Sequence, residues 1–175
     1  MRRAVFLDRD GVINRAIVRN GMPYPPPNID QLEVLPGVSE ALNKLHAADY
    51  LLIVITNQPD VARGTANKSD IEKMNSQLLS QLPLDDIKTC YHDGSDDCLC
   101  RKPLPGALHE AAKEYDIDLS KSFMVGDRWR DIEAGRRAGC KTFFVNYDYI
   151  EQQPKAPDFI VSSLLEAQKI ITGEL

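Results

Sequence analysis

Four short polar segments of the sequence carry the residue types that phosphoryl transfer requires. They are Asp8-Arg9-Asp10-Gly11, Thr56-Asn57-Gln58, Arg101-Lys102-Pro103 and Gly126-Asp127-Arg128, and all but the third directly follow an apolar stretch. Carboxylates can hold a divalent cation, whereas hydroxyl and cationic groups can neutralise the oxygens of a phosphate ester. Their combination predicts a metal-dependent reaction on a phosphorylated substrate.

Asp8 is the candidate nucleophile of this reaction. A phosphate ester repels an anionic attacker, so a cation must screen the approach. The side chains of Asp8 and Asp127 and the backbone carbonyl of Asp10 are the candidate ligands of Mg²⁺. Attack by Asp8 on phosphorus would form an aspartyl-phosphate. Asp10 is the candidate general acid and base, first for the leaving oxygen and then for the hydrolytic water.

Lys102 and the hydroxyl of Thr56 are the candidate clamp for the transferring phosphoryl oxygens. Taken alone, each catalytic candidate has a structural alternative as a turn residue, a helix cap or a solvated charge. Asp131 and Glu133 are expected to stabilise the positive end of a helix rather than to bind metal. The catalytic interpretation is favoured because the candidates occur together, each set after a predicted strand.

The elements that must position these residues alternate between strand and helix periodicity. Strands are predicted for residues 3–7, 50–55, 87–91, 122–125, 141–145 and 159–161, and helices for residues 36–48, 69–82, 105–115, 129–138 and 164–171. Ser69 is the predicted N-cap of the second helix with Glu72 as its capping-box partner, and Gly139 is predicted to end the fourth.

This alternation predicts an α/β fold with three layers, Rossmann-like, around a central and mostly parallel sheet. Ligands of such sheets bind outside the carboxyl ends of the strands, where the polar segments fall. The long connection between Asp10 and Pro36 contains the run Pro23-Tyr24-Pro25-Pro26-Pro27, which is either a stiff connector or a rigid flap beside the site. The other loops are short, so we expect no cap domain and an open active site.

Composition limits the remaining possibilities. The 175 residues are expected to form a single domain, with 43% hydrophobic and 27% charged residues. A formal net charge of -5 gives no electrostatic footprint for nucleic acid. No apolar run is long enough to cross a bilayer, and the N-terminus does not have the pattern of a signal peptide. A cytoplasmic enzyme, expected to be a monomer, with a small substrate is therefore favoured.

The ordered motifs resemble those of the haloacid dehalogenase superfamily of phosphatases. Asp8 to Val12 is similar to its first motif, Ile55-Thr56-Asn57 to its second, Lys102 to its third, and Gly126-Asp127 with Asp131 to its fourth. The resemblance covers about residues 4–146. It implies the Rossmann-like fold, Mg²⁺, and the roles of nucleophile and general acid/base already assigned to Asp8 and Asp10.

Finer features are similar to one branch of this superfamily, the heptose bisphosphate phosphatases. They are Thr56-Asn57-Gln58, Ala62-Arg63-Gly64 and Cys100-Arg101-Lys102-Pro103. The branch implies removal of the 7-phosphate of D-glycero-D-manno-heptose 1,7-bisphosphate, within the synthesis of nucleotide-activated heptose. It also implies substrate contacts at Asn57, Gln58, Arg101 and Arg128.

Histidinol-phosphate phosphatases share these motifs, so histidinol phosphate is an alternative substrate. Pro59-Asp60 replaces the usual Ser-Gly of the second motif, and the stretch from Asn14 to Pro36 departs from the usual substrate loop. Arg15 and Arg19 in that stretch are either contacts for a second phosphate or solvated charges. From another class, a catalytically silent, zinc-stabilised module that binds a phosphorylated sugar is the alternative. The intact Asp8 and Lys102 argue against it.

A cysteine-rich loop precedes Arg101. Cys90, His92, Cys98 and Cys100 form a Cys3His set, the ligand complement of a closed structural Zn²⁺ site. Free thiols or metal ligands are favoured over disulfides, since Cys98 and Cys100 are too close for an unstrained bridge and a cytoplasmic compartment is reducing. The metal would then be structural and would fix the loop that carries the catalytic lysine. The remaining Cys140 is interpreted as a buried thiol.

Overall fold

The computed structural model describes all 175 residues. Its main sheet has six strands in the order β5-β4-β1-β6-β7-β8, and every neighbouring pair is parallel. The strands are β1 (Arg3–Leu7), β4 (Tyr50–Asn57), β5 (Asp86–Cys90), β6 (Phe123–Gly126), β7 (Lys141–Val145) and β8 (Phe159–Val161). A separate antiparallel hairpin is formed by β2 (Ile17–Arg19) and β3 (Met22–Tyr24).

The structure has five α-helices, of which the first four connect strands and the last follows β8: α1 (Val38–Ala47), α2 (Lys68–Gln81), α3 (Gly106–Tyr115), α4 (Trp129–Ala138) and α5 (Leu164–Thr172). Each predicted strand and helix is present, with ends that differ by at most two residues. Gly139 adopts the left-handed conformation that ends α4, with φ of 87°. No helix is both long and apolar enough to cross a membrane.

The helices cover both faces of the sheet, which gives three layers. In β1, Val5 and Leu7 pack into a core with α1 and α5, whereas Ala4 and Phe6 pack on the opposite face with α3 and α4. This alternation follows from the two-residue period of a strand, and it explains why β1 is apolar on both faces. The predicted α/β fold with a parallel sheet is confirmed.

The strand order places the polar strand ends side by side. β1 lies at the centre between β4 and β6, so the chain turns to opposite sides of the sheet around it. This is a topological switch point, where the connections diverge and leave a crevice at the carboxyl edge. Residues that follow β1, β4 and β6 therefore meet there.

One local prediction is wrong, and one element was not predicted. The N-cap of α2 is Asn67, whose side chain accepts a hydrogen bond from the backbone N–H of Ser69, so Ser69 lies inside the helix. An asparagine caps as well as a serine does, and the apolar periodicity alone did not distinguish the two positions. The element that was not predicted is the β2–β3 hairpin, which lies in the connection after Asp10 and turns at Asn20 and Gly21.

Candidate active site

Lys102 lies at the centre of the polar edge and joins two carboxylates. Its Nζ is 2.7 Å from Asp8 Oδ1 and 2.6 Å from Asp131 Oδ1, and it donates to the carbonyl of Ile55 at 2.6 Å. Lys102 is buried, with 2% of its surface exposed. Because both carboxylates stabilise the ammonium, the pKa of Lys102 is raised despite burial. Asp8, the candidate nucleophile, and Lys102, the candidate clamp for the phosphoryl oxygens, are therefore in direct contact.

Asp127 completes a cluster with Asp8 and Asp131, and one carboxylate oxygen from each of the three lies within 4.8 Å of the other two. Its Oδ2 accepts a hydrogen bond from the hydroxyl of Tyr149 at 2.8 Å, but its Oδ1 is buried and has no hydrogen-bond partner. The Asp127 carboxylate lies so close to the backbone of the first motif that position 11 must be glycine, since a Cβ there would come 2.0 Å from Asp127 Oδ2.

The charges of this cluster fit one divalent cation. Three buried carboxylates and the single ammonium of Lys102 leave two negative charges uncompensated. Burial and the neighbouring Asp131 raise the pKa of Asp8 to about 6, and burial with the charge of Asp8 raises the pKa of Asp127. An unpartnered buried oxygen and like charges at close range are what a hard cation such as Mg²⁺ would satisfy.

Asp131 corrects the sequence interpretation. It was expected only to stabilise the helix N-terminus, and it does so, because its Oδ2 accepts the backbone N–H of Arg128 at 2.9 Å. Its other oxygen contacts Lys102, and the residue belongs to the carboxylate cluster. The similarity of Asp131 to part of the fourth motif, together with Asp127, was the sequence signal for this position.

The second polar segment lies mostly beneath the site. Asn57 holds the Lys102 backbone, donating to its carbonyl at 3.0 Å and accepting its N–H at 3.1 Å. Gln58 is 2% exposed and donates to Asp10 Oδ2 at 2.8 Å and to Thr56 Oγ1 at 3.0 Å. The Gln58 amide thus contacts two catalytic candidates, Asp10 and Thr56, and the expected substrate contact at Gln58 stays a prediction. Thr56 is also buried, at 1% exposure.

A cavity of about 240 Å³ opens beside the cluster. Asp8, Asp10, Lys102 and Asp131 line one part of it, and the hairpin residues Met22 to Pro25 line another. The proline-rich segment is therefore part of the pocket wall, as the flap alternative proposed. No helical cap domain covers the opening.

Four arginines also line this cavity: Arg63, Arg101, Arg128 and Arg130. Two of them are neutralised by carboxylates. Arg128 pairs with Glu151, with Nη2 to Oε2 at 2.5 Å, and Arg63 pairs with Asp60 and Asp93. The negative charge that Asp60 adds to the second motif is compensated in this way.

Arg101 and Arg130 have no carboxylate within ion-pair distance. Arg101 Nη1 donates to the carbonyl of His92 at 3.3 Å, and the Arg130 guanidinium lies 4.8 Å from the Trp129 ring centroid. Burial and the repulsion of neighbouring guanidinium groups lower the pKa of both. They are the two cations of the pocket that an anionic ligand would stabilise most. Arg130 was missed by the sequence, although it stands two residues after Arg128.

The arginines of the long connection lie elsewhere. Arg15 pairs with Glu33 at 2.9 Å, and the Arg19 guanidinium lies over the ring of Tyr24 at 5.6 Å from its centroid. Neither side chain lines the cavity beside Asp8. Of the two alternatives for Arg15, a surface charge is supported.

The cysteine-rich loop gathers its four candidate ligands. The Sγ atoms of Cys90, Cys98 and Cys100 and a ring nitrogen of His92 lie within 4.8 Å of one another. The Cys90 and Cys100 sulfurs are joined as a disulfide, with Cα atoms 5.7 Å apart, so the expectation of free thiols is wrong for this pair. The end of β5 and the loop approach closely enough for such a bond. Because a metal binds thiolates, the disulfide and a four-ligand metal site are alternative states of the same cluster.

Parallel strands around a switch point, with carboxylates and a lysine at their carboxyl ends, are the arrangement of a phosphatase built on a Rossmann-like α/β fold. Residues 99–167 match the model of the HAD-hydrolase-like family. A D-glycero-beta-D-manno-heptose-1,7-bisphosphate 7-phosphatase of Pasteurella multocida is 36% identical over 99% of this chain and 98% of the relative. The chain belongs to the HAD-like phosphatases.

Other relatives and solved structures agree. A D-glycero-alpha-D-manno-heptose-1,7-bisphosphate 7-phosphatase of Campylobacter jejuni is 35% identical over 90% of this chain and 87% of the relative. The crystal structure of a heptose bisphosphate phosphatase from B. bronchiseptica, complexed with magnesium and phosphate, superposes with a TM-score of 0.83. That match covers 99% of both chains at 29% identity.

Proposed function

We propose that the chain hydrolyses the 7-phosphate of D-glycero-D-manno-heptose 1,7-bisphosphate. The observation that carries the proposal is the set of side chains that lines the cavity beside Asp8. It combines the carboxylate cluster bridged by Lys102 with Arg101 and Arg130, two cations that lack carboxylate partners. A bisphosphate has one phosphate for each of these sets, and the names of the similar proteins specify such a substrate.

Asp8, Asp127, Asp131 and the backbone carbonyl of Asp10 would hold Mg²⁺, which when bound screens the negative charge of the phosphate from the nucleophile. Asp8 Oδ attacks phosphorus, forming an oxygen–phosphorus bond as the bond between phosphorus and the sugar oxygen breaks. Lys102 neutralises the phosphoryl oxygens while it remains close to Asp8. The Asn57 side chain keeps Lys102 in place through two hydrogen bonds, one to the carbonyl and one from the N–H of the Lys102 backbone.

Asp10 transfers the proton in both half-reactions. It gives a proton to the sugar oxygen that leaves, and its carboxylate then takes one proton from the water that attacks the aspartyl-phosphate. The second attack breaks the bond between phosphorus and Asp8, which releases inorganic phosphate and restores the free carboxylate. Asp10 lines the cavity next to Asp8, as this exchange requires.

We propose a structural Zn²⁺ for the cysteine-rich loop in its reduced form. Three sulfurs and one imidazole nitrogen fill a tetrahedral shell, which leaves no position for substrate or water. The loop leads directly into Arg101 and Lys102, so the metal would act by fixing these two side chains. The thiolate state needs a reducing compartment, which supports a cytoplasmic location. The candidate catalytic residues Asp8, Asp10, Lys102 and Asp127 all belong to one sequence and meet within one fold, which supports the proposal of a monomer.

The test is phosphate release by the purified protein with Mg²⁺. The panel contains both anomers of heptose 1,7-bisphosphate, fructose 1,6-bisphosphate and histidinol phosphate. We expect the heptose bisphosphate to have the highest kcat/KM. A preference for histidinol phosphate would refute the proposed substrate, and binding without turnover on every ester would identify a silent binding module.

Asp8→Asn tests the nucleophile in the same assay. We expect loss of turnover by a factor of at least about 1,000, since the amide cannot attack phosphorus. The matched control is Asp116→Asn, the same change at an exposed residue that pairs with the N-terminus. Turnover that survives in Asp8→Asn at the level of the control would place the nucleophile elsewhere.

A further inference from the structure

Arg9 is a buried cation that the reaction described above does not use. It is 0% exposed and is among the largest fully buried side chains of the protein. Burial of a guanidinium is costly unless every donor group is compensated. Its Nε and Nη2 donate to Asp10 Oδ1 at 3.2 and 3.1 Å, and its Nη1 donates to Asn75 Oδ1 at 2.9 Å.

The partner of Arg9 on α2 is itself held in one orientation. Asn75 accepts from Arg9 through its oxygen and donates through its Nδ2 to Thr89 Oγ1 at 3.0 Å. Thr89 lies on β5, the edge strand of the main sheet. A chain of hydrogen bonds therefore runs from β5 through α2 to the general acid/base candidate Asp10. A network with all its polar groups satisfied is stiff, and it favours one rotamer for each member.

The two oxygens of Asp10 have different surroundings. Oδ1 accepts from Arg9 and from Asn14 Nδ2, the latter at 3.0 Å. Oδ2 accepts from Gln58 Nε2 at 2.8 Å and has only a longer contact, 3.4 Å, with Arg9. Together these donors hold both oxygens of Asp10, so the carboxylate has one orientation.

We propose that Arg9, anchored by Asn75, is a positioning residue that holds the Asp10 carboxylate in one orientation for proton exchange with the leaving oxygen. The inference rests on the proposed phosphatase function. In the first half-reaction, the Asp8–phosphorus bond forms, the bond to the leaving oxygen breaks, and the proton passes from the Asp10 carboxyl group to that oxygen. Arg9 touches neither the substrate nor phosphorus and acts through Asp10.

The leaving group distinguishes this role from a purely structural one. A sugar alkoxide is a poor leaving group and needs the proton, whereas nitrophenolate leaves without one. The experiment compares kcat/KM for heptose 1,7-bisphosphate and for p-nitrophenyl phosphate, since this constant includes the step in which the alcohol is lost. Wild-type turnover of the bisphosphate tests the proposed function, and the ratio between the two esters in each variant tests the role of Arg9.

For Arg9→Lys, which keeps the charge but loses the fork, we expect about a 30-fold fall with the bisphosphate and a less than about threefold fall with the aryl ester. Asn75→Leu, which leaves Arg9 in place without its anchor, should show the same selectivity with a smaller loss. In the Asp10→Asn background, Arg9→Lys should cost less than about twofold, because residues that act as one unit are not additive.

Equal losses on both esters would overturn the proposal, because they would show that Arg9 supports only the fold. A full additional loss in the Asp10→Asn background would overturn it as well. Thermal unfolding of each variant is measured alongside, and Asn75→Leu gives a second reading that does not depend on the folding of the Arg9 variant. The Thr65→Val variant serves as a control, since Thr65 is exposed and lies outside this network.

Discussion

At the scale of single residues, the cations of the pocket form two groups, those paired with carboxylates and those without a carboxylate partner. Lys102 is shared between Asp8 and Asp131, and Arg128 is committed to Glu151. Arg101 and Arg130 are left for an anionic ligand, and the lowered pKa of each reflects burial beside other guanidinium groups. A phosphate placed between them would relieve that repulsion through charge-assisted hydrogen bonds.

Arg130→Gln should raise KM for heptose 1,7-bisphosphate about tenfold, since a hydrogen bond to a charged group contributes about 1.5–3 kcal/mol. KM for p-nitrophenyl phosphate, which has one phosphate, should change less than about twofold. Steady-state kinetics with both esters is the measurement. Arg136→Gln, on the same helix but exposed and paired with Glu133, is the control. Equal effects on the two esters would show that Arg130 does not contact a second phosphate.

A glycine sets the distance between the first and fourth motifs. Gly11 has φ of +94°, and a Cβ there would overlap Asp127. We expect Gly11→Ala to raise the Mg²⁺ concentration for half-maximal activity at least about tenfold, because the shifted carboxylate binds metal less well. Gly64→Ala is a matched control, since Gly64 has φ of +73° with no heavy atom within 4 Å of the added Cβ. A similar Mg²⁺ requirement in both variants would contradict the role given to Gly11.

At the scale of elements, loops hold in place the polar side chains that follow the strands. The segment after β7 reaches over the site, where Tyr147 donates to the carbonyl of Gly11 at 2.9 Å and Tyr149 donates to Asp127. Its Ile150 N–H bonds to the carbonyl of Gly21 in the hairpin turn at 2.8 Å. The cysteine-rich loop leads into the third motif, because it ends at Cys100, the residue before Arg101. The segment after β7 therefore holds Asp127, and the cysteine-rich loop holds the start of the third motif.

The reduced protein is expected to contain about one Zn²⁺ per chain, and Cys98→Ala should lower this to well below half while reducing kcat/KM. Metal analysis by mass spectrometry is the measurement. Cys140→Ala is the control, since Cys140 lies in the core and burial raises its pKa to about 12. Zinc content near zero in the reduced wild-type protein, with the Cys90–Cys100 disulfide retained after mild reduction, would contradict the proposal.

At the scale of the whole molecule, one sheet both stabilises the protein and orients the site. The central strands β4, β1 and β6 are buried on both faces, and the residues directly after β1 and β6, Asp8 and Asp127, belong to the carboxylate cluster. The chain has a net charge of -5, yet its pocket is lined by four arginines. A local cluster of cations thus attracts an anionic substrate to an acidic protein.

Leu52→Ala should destabilise the protein by about 2–5 kcal/mol, because Leu52 is 0% exposed in the core beneath α1 and the truncation leaves a cavity. Leu79→Ala is the control, since Leu79 is 41% exposed and its loss should cost less than about 1 kcal/mol. Urea denaturation followed by circular dichroism gives both values. Equal destabilisation by the two changes would mean that the sheet does not form the core described here.

The sequence by itself determined the strands, the helices and the candidates at the strand ends, because hydrophobic periodicity and motif spacing are local. It placed Asp8, Asp127 and Lys102 at one edge, where they meet. Only the tertiary structure decided which polar groups pair across the chain. Gln58 donates a hydrogen bond to Asp10, and Arg128 pairs with Glu151, 23 residues away. Asp131 joins the carboxylate cluster through Lys102, and Arg130 is left without a carboxylate. Such pairings depend on distances between elements that no local pattern encodes.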